Sequence, residues 1–309
     1  MSTVSIARQR GLYSGVANQE LPEIRRDISQ LREQISSGKR INRPSDGPTD
    51  YSIAEEMGRL DNKIDRRLST VETARSFVDR TQQELDGLGD LFAQAQEKGV
   101  QAANDTVSDE DREAIAQELR SIKNEAVDRL NARHNGEYIF AGNRTQTTPF
   151  NDDGSVNGTP ADISGERTRP ISQNQTLTTN IPGSELHQYG TGPGGGPKTI
   201  TGALDGLISA VDPNDNSTND IQANLDEVTE ARDHVFSKGA EAGTIGNRLS
   251  AAKDQLETTQ LNVRERQSNA EDTNLAQAAS ALQQKQTQLQ AALKAVATTQ
   301  QQASLVNFL

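Results

Sequence analysis

The 309-residue sequence predicts a mainly α fold: a long helical rod or coiled-coil bundle built from both chain ends, with a small β-rich insert in the middle. Three observations carry that prediction. Proline is missing from Thr49 to Thr148 and from Asn214 to Leu309, whereas six of the ten prolines and twelve of the 24 glycines fall between Gly142 and Gly206. Both residues interrupt helices and punctuate turns, so the ends read as helical and the middle as loops and strands. Apolar residues toward both ends recur at alternating spacings of three and four, the heptad pattern of packed helices. Finally, Leu, Ile, Val and Phe together make up only 61 residues and Trp is absent. That is too little for a large compact core, but long helices burying narrow seams, partly against other copies, need less.

The first helical seam is Leu21, Ile24, Ile28, Leu31 and Ile35, ending at Ser36-Ser37-Gly38. A turn-rich connector follows, Lys39 to Pro48, after which Asp46 or Thr49 can cap the next helix. That helix carries the strongest periodicity: Ile53, Met57, Leu60, Ile64, Arg67, Val71, Ala74, Val78, Thr81, Leu85, Leu88, Phe92 and Ala95, apolar at eleven of thirteen positions. Continued to Ala103, it would be roughly 80 Å long at 1.5 Å per residue. Ser108 with Asp111 resembles a capping box opening a third helix with Ile115, Leu119, Ile122, Ala126 and Leu130.

In the middle region, Asn151-Asp152-Asp153-Gly154 reads as a tight turn and Thr176 to Ile181 as a short strand. The run Gly190 to Pro197 reads as a flexible linker, and Thr199 to Val211 as a short helix. Beyond it come seams at Ile221, Leu225, Val228 and Val235, then at Ile245, Leu249, Ala252, Leu256, Thr259 and Val263. The last seam is Leu275, Ala279, Leu282, Gln286, Leu289, Leu293, Val296, Gln300 and Ala303. From Thr273 to Leu309 only Lys285 and Lys294 are charged, and nine of the 26 residues from Gln277 to Gln302 are Gln. A helix exposed to water normally carries more charge, so this tail is expected to be disordered when free and buried in an assembly.

Composition also limits function. A net charge of −12 and a pI near 4.8 argue against nucleic acid or an anionic membrane surface as partner. Zero Cys excludes disulfides, thiolate metal sites and a Cys nucleophile. No run of 18 apolar residues occurs, and the first twenty residues lack the apolar stretch of a cleaved signal peptide.

Candidate chemical motifs fail on particular residues. The Gly-rich run before Lys198-Thr199 superficially suggests a phosphate loop, but Pro197 stands where a backbone N–H donor is required. Asp212, Asn214 and Asn216 have the first spacings of an EF-hand, yet Ser217 replaces the sixth-position Gly and Ala223 the twelfth-position Glu. His134, His187 and His234 are far apart in sequence, with His134 and His234 expected on partly exposed helix faces. The carboxylates are spread among Lys and Arg, the solvated coat of a bundle. No catalytic, cofactor-binding or metal-ligating residue is assigned, and the chain reads as no enzyme.

Several segments together resemble one family. Gln34 to Asp46 is similar to the N-terminal segment of bacterial flagellins and their hook-associated relatives. Glu271 to Ala276 with the Gln-rich helix, and Ser304 to Leu309, resemble the family's C-terminal segments. Tyr138-Ile139-Phe140-Ala141-Gly142, followed by Thr148-Pro149-Phe150, is similar to the hook-associated protein 3 branch rather than to filament flagellins. The match covers about residues 1–150 and 236–309.

The resemblance implies a structural subunit of the extracellular bacterial flagellum at the hook–filament junction. It implies export unfolded through the flagellar type III channel without a cleaved signal peptide, and an export chaperone. It implies a homo-oligomeric ring with hook-associated protein 1 on the hook side and flagellin on the filament side. Filament flagellin is the alternative.

On the resemblance, residues 1–48 with 270–309 form the terminal coiled coil. Residues 49–140 with 214–269 form the rod, and 141–213 the outer insert, of which 143–197 is expected to be replaceable by a short linker. The assembly seam is assigned to Ile24, Ile28, Leu31, Ile35, Leu275, Leu282, Leu289, Leu293, Val296, Leu305, Phe308 and Leu309.

Overall fold

The computed structural model describes residues 3–306 apart from 105, 173–174, 193–194 and 216–219, with side chains from 20 to 298. In chain order the first helices are α1 (Thr3–Ser37), α2 (Pro48–Ala102) and α3 (Asp109–Leu130). The middle holds β1 (Arg133–His134), β2 (Glu137–Tyr138), β3 (Thr168–Pro170), β4 (Thr176–Thr178), α4 (Gly183–His187), β5 (Gln188–Thr191), β6 (Pro197–Thr199) and α5 (Ile200–Val211). Two long helices follow, α6 (Ile221–Glu271) and α7 (Leu275–Val306). The chain divides into two compact units, Met1–Lys63 with Thr259–Leu309, and Ile64–Thr258.

In the first unit both chain ends turn at one place. Gly38 follows α1 with φ +73, the left-handed conformation that terminates helices and that glycine adopts without a side-chain clash. Its carbonyl accepts from Thr273 N–H at 2.9 Å, and Arg40 N–H donates to the Glu271 carbonyl at 2.6 Å. Lys39 and Asp272 form an antiparallel bridge there. Asn274 then caps α7, its Oδ1 accepting from Gln277 N–H at 3.1 Å. Asp46 closes the connector by accepting from the backbone N–H groups of Asn42 and Arg43 at 3.1 and 2.9 Å. The first turns of α2 run antiparallel to the end of α6, with Arg264 Nε donating to Asp61 at 3.0 Å.

In the second unit the α2 register is the one the heptads predict. Ile64, Val71, Ala74, Val78, Leu85, Leu88, Phe92 and Ala95 are all buried. Thr81, a polar residue in that seam, is buried too, and it returns its hydroxyl to the Phe77 carbonyl at 2.9 Å. Leu225, Val228, Val235, Ile245, Leu249 and Leu256 of α6 are likewise buried. The two helices run antiparallel, with Gln96 donating to Thr229 at 3.2 Å and Lys253 pairing with Glu72 at 3.1 Å. Ser108 caps α3 as expected, accepting from Asp111 N–H at 3.2 Å. Helix α5 packs on α3, joined by Lys123 to Asp205 at 2.6 Å and by the Arg120–Asp212 pair.

The strands form three separate antiparallel hairpins, β1–β2, β3–β4 and β5–β6. Here the structure corrects two expectations. In the run read as a linker, Gly190 and Thr191 belong to β5 and Pro197 to β6, and Gly192 N–H donates to the Gly196 carbonyl at 2.8 Å, while residues 193–194 lie outside the described residues. Glycine satisfied a hairpin turn there as readily as it would a free linker. His134 sits on β1 rather than on a helix. The middle region also carries core residues, as Phe150, Ile163, Ile181 and Leu186 are 2% exposed or less. The tight turn at Asn151 is present, with Gly154 N–H donating to Asn151 O at 2.9 Å and Gly154 at φ +84.

Candidate assembly surface

Helix α1 lies along α7. Ile28 is buried at 6% exposure, and Leu21, Ile24, Leu31 and Ile35 are half-buried on the same stripe. Their 3/4 spacing keeps them on one helix face, and Pro22 in mid-helix interrupts neither the face nor the element. On α7 the covered stripe is Ala278, Ala281, Leu282, Lys285, Gln286, Leu289, Ala292 and Val296. Lys285 donates to Asp27 of α1 at 2.6 Å, fixing the pairing of the two helices. A groove of about 410 Å³ remains between them, lined by Arg25, Ile28, Arg32, Gln286, Leu289 and Gln290.

Of the assigned seam, the structure brings Ile24, Ile28, Leu31 and Ile35 together with Leu282, Leu289 and Val296. Leu275 and Leu293 instead face water at 53% and 43% exposure. The Leu305 side chain and all of Phe308 and Leu309 lie outside the described residues. Ala278, Ala281 and Ala292 occupy the stripe where larger residues were sought. Their signal in sequence was the Ala-rich composition of α7, which allows close helix approach. The outcome is a helix pair with two large leucines uncovered and only two charges on the C-terminal partner.

The titratable groups singled out in the sequence are engaged in packing. Asp212, first residue of the incomplete calcium spacing, accepts from Asn214 N–H at 2.9 Å and pairs with Arg120, which together hold its carboxyl below the usual range. Asn216 and Ser217 of that spacing lie outside the described residues. His234 Nε2 lies 2.8 Å from the Glu185 carbonyl, and His134 sits edge-on to Phe77. Among the described residues no group of three His, Cys, Asp or Glu side chains could hold a metal, and no helix is long and apolar enough to cross a membrane.

The segment Tyr138 to Gly142 proves to be a packing element. Tyr138, Ile139, Phe140 and Ala141 are buried. Tyr138 OH bonds Thr148 at 2.9 Å and also Arg133, whose guanidinium lies 4.0 Å from the Tyr138 ring centroid. Gly142, at φ +56, lies so close to Ile163 and Gly165 that a Cβ would fall 2.7 Å from the Gly165 nitrogen.

Residues 13–145 match the bacterial flagellin N-terminal helical region, and residues 225–309 match the bacterial flagellin C-terminal helical region. The chain belongs to the bacterial flagellin family. Within the family it is similar to flagellar hook-associated protein 3 of Salmonella typhimurium, 34% identical over 142 residues, which are 44% of this chain and 42% of that protein. The same-named protein of Escherichia coli is 34% identical over 126 residues, 39% of this chain and 38% of its own. A flagellar filament 30.7 kDa core protein of Treponema maltophilum is 31% identical over 112 residues, 36% of this chain and 39% of that protein. The chain thus spans about two fifths of the length of these flagellin relatives. Solved structures share the fold. One described as a flagellar hook-associated protein, from Vibrio parahaemolyticus, superposes with a TM-score of 0.64 at 21% identity, over 74% of this chain and all of that one. A hook associated protein-3 from Legionella pneumophila gives 0.57 at 16%, over 68% of this chain and 97% of that one.

Proposed function

We propose that this flagellin-family chain is a structural, non-catalytic subunit of the extracellular flagellum that serves as the hook–filament junction adaptor. It polymerises through its terminal helices into a ring. Hook-associated protein 1 contacts the ring on the hook side and flagellin on the filament side. The chain leaves the cell unfolded through the flagellar type III channel, with an export chaperone. Residues 1–48 with 270–309 form the assembly domain, 49–140 with 214–269 the rod, and 141–213 the part turned outward.

The observation that carries this reading is the α1–α7 pair. It leaves Leu275 and Leu293 in water on a helix with almost no charge. Such a surface gains from burial against other helices, at about 25 cal/mol per Å² of apolar area. The similarity to hook-associated protein 3 favours the junction, and the similarity to the Treponema filament protein keeps filament flagellin as the second reading. Deleting the gene separates them. The junction role predicts intact hooks with flagellin subunits released into the medium. Loss of a subunit present in thousands of copies along the filament would establish the second reading instead.

A further inference from the structure

The 64–258 unit carries an unfilled cleft and an unmatched knob on different faces of one helix. The cleft, about 490 Å³, lies between the β3–β4 hairpin and α6 and is lined by Ile171, Leu177, Ala251, Ala252 and Leu256, with Arg248 among them. Arg169 stands directly opposite Leu177 in the hairpin register, so the two share a sheet face. Among the described residues neither Arg248 nor Arg169 has an ion-pair partner.

The knob is Phe236 of α6. Its ring packs against α2 at Gly89, where a Cβ would fall 2.6 Å from the ring, yet 47% of the residue is exposed. Asp86 is one turn from Gly89 and approaches Gly239, one turn from Phe236, while Asp90 follows Gly89 directly. Asp86 and Asp90 are exposed and, among the described residues, have no ion-pair partner.

Phe236 and Ala252 are sixteen residues apart, which at 100° per residue places them about 160° apart around α6 and about 24 Å along it. An apolar knob flanked by two free carboxylates therefore faces one way, and an apolar cleft with the Arg248 guanidinium in its lining faces another; Arg169 stands beside it, in the neighbouring cavity against Thr73 and Phe77 of α2. We infer that the Phe236 face of one copy docks into the Ile171–Leu256 cleft of a second copy, with Asp86 and Asp90 meeting Arg169 and Arg248. Because the two patches are different, the contact is head-to-tail and can be repeated around a closed ring. The apolar contact supplies burial and the charges supply orientation and partner choice. This inference rests on the proposed self-assembly but uses a surface separate from the terminal helices.

The absence of native Cys makes the test direct. Ala240→Cys full-length chains, which keep Phe236 and carry the thiol one turn away on the exposed side of α6, are mixed with Ala252→Cys chains under mild oxidation at assembling concentration. Mixed disulfide dimers are expected, and Phe236→Ala on the Ala240→Cys chain should cut them at least tenfold. A chain carrying both cysteines should give a ladder of oligomers. Twelve residues of helix hold the two Cα atoms about 18 Å apart, beyond the roughly 7 Å limit for a disulfide, so no intrachain bond competes. Asp86→Arg with Asp90→Arg on the Ala240→Cys chain should also cut the mixed dimer at least tenfold, and Arg169→Asp with Arg248→Asp on its partner should restore it. Ala240–Ala240 dimers, or assembled material without mixed dimers, overturn this contact and leave assembly through the ends standing. Mixed dimers formed equally well by chains lacking Leu289 to Leu309 support the contact while removing the ends as its prerequisite.

Discussion

His187 is 4% exposed, its ring centroid lies 5.1 Å from that of Phe150, and its Nδ1 is buried without a hydrogen-bond partner. Burial pushes its pKa down from 6.5 to about 4. The unfolded chain therefore binds this proton near pH 6.5 and the folded chain only near pH 4. The stability contributed above pH 6.5 is lost as pH falls through that window, on the order of 3 kcal/mol in all. Thermal melts between pH 7 and pH 4 should show this slope, and His187→Leu should flatten it; equal slopes in variant and parent would refute the assignment. Gly183 makes a steric prediction at the same scale. A Cβ there would fall 2.2 Å from the Phe140 carbonyl oxygen, so Gly183→Ala must move backbone. A loss of about 2–3 kcal/mol in chemical unfolding is expected, the usual cost of overpacking.

Among the elements, α2 shows what periodicity can specify. Leu85 is 1% exposed in the seam that the 3/4 spacing identified. Leu85→Asp buries an unpaired carboxylate, and a loss of about 3–5 kcal/mol in a circular-dichroism melt is expected, on the scale of an uncompensated buried charge. An unchanged melt would mean that Leu85 does not face the core. The helices and the Ser108 cap were legible because their signals are local and repeated over many turns. The hairpins were less so. Their strands are two to four residues long, too short for an alternating pattern, and their positions depend on distant partners such as the Arg167–Glu137 pair at 2.7 Å. This changes the expectation for residues 143–197. Their replacement by a short linker removes Phe150, Ile163, Ile181 and Leu186 from the core. The excised chain should keep α2 and α6 helical but melt at lower temperature than the parent, which calorimetry would measure.

For the molecule as a whole, the assembly surface was only partly readable. Heptads located the stripe by which α1 and α7 pack within one chain, Ile24, Ile28, Leu31, Ile35, Leu282, Leu289 and Val296, but not which face of α7 remains open for the proposed assembly. That choice depends on the Lys285–Asp27 pair and on small Ala278, Ala281 and Ala292, none of which stands out in a search for large apolar residues. The energetic consequence is specific. Ordering a residue's backbone costs about 1–2 kcal/mol, and only Ile28 and Ala278 of the α1–α7 pair are buried within the described side chains. The free subunit therefore has little to hold its ends, and assembly must supply the missing burial. Hydrogen exchange of the free chain should show weak protection in α1 and α7 and strong protection around Leu85, Leu88 and Phe92. Removing Leu289 to Leu309 should leave the melt of the 64–258 unit within about 0.5 kcal/mol of the parent, the scale of changes outside a packed core. The same truncation should abolish incorporation at the hook end, scored by electron microscopy of complemented deletion cells. Strong protection of both ends in a monomer, or junctions that form without the tail, would mean that the ends fold for their own stability and that assembly runs through another surface.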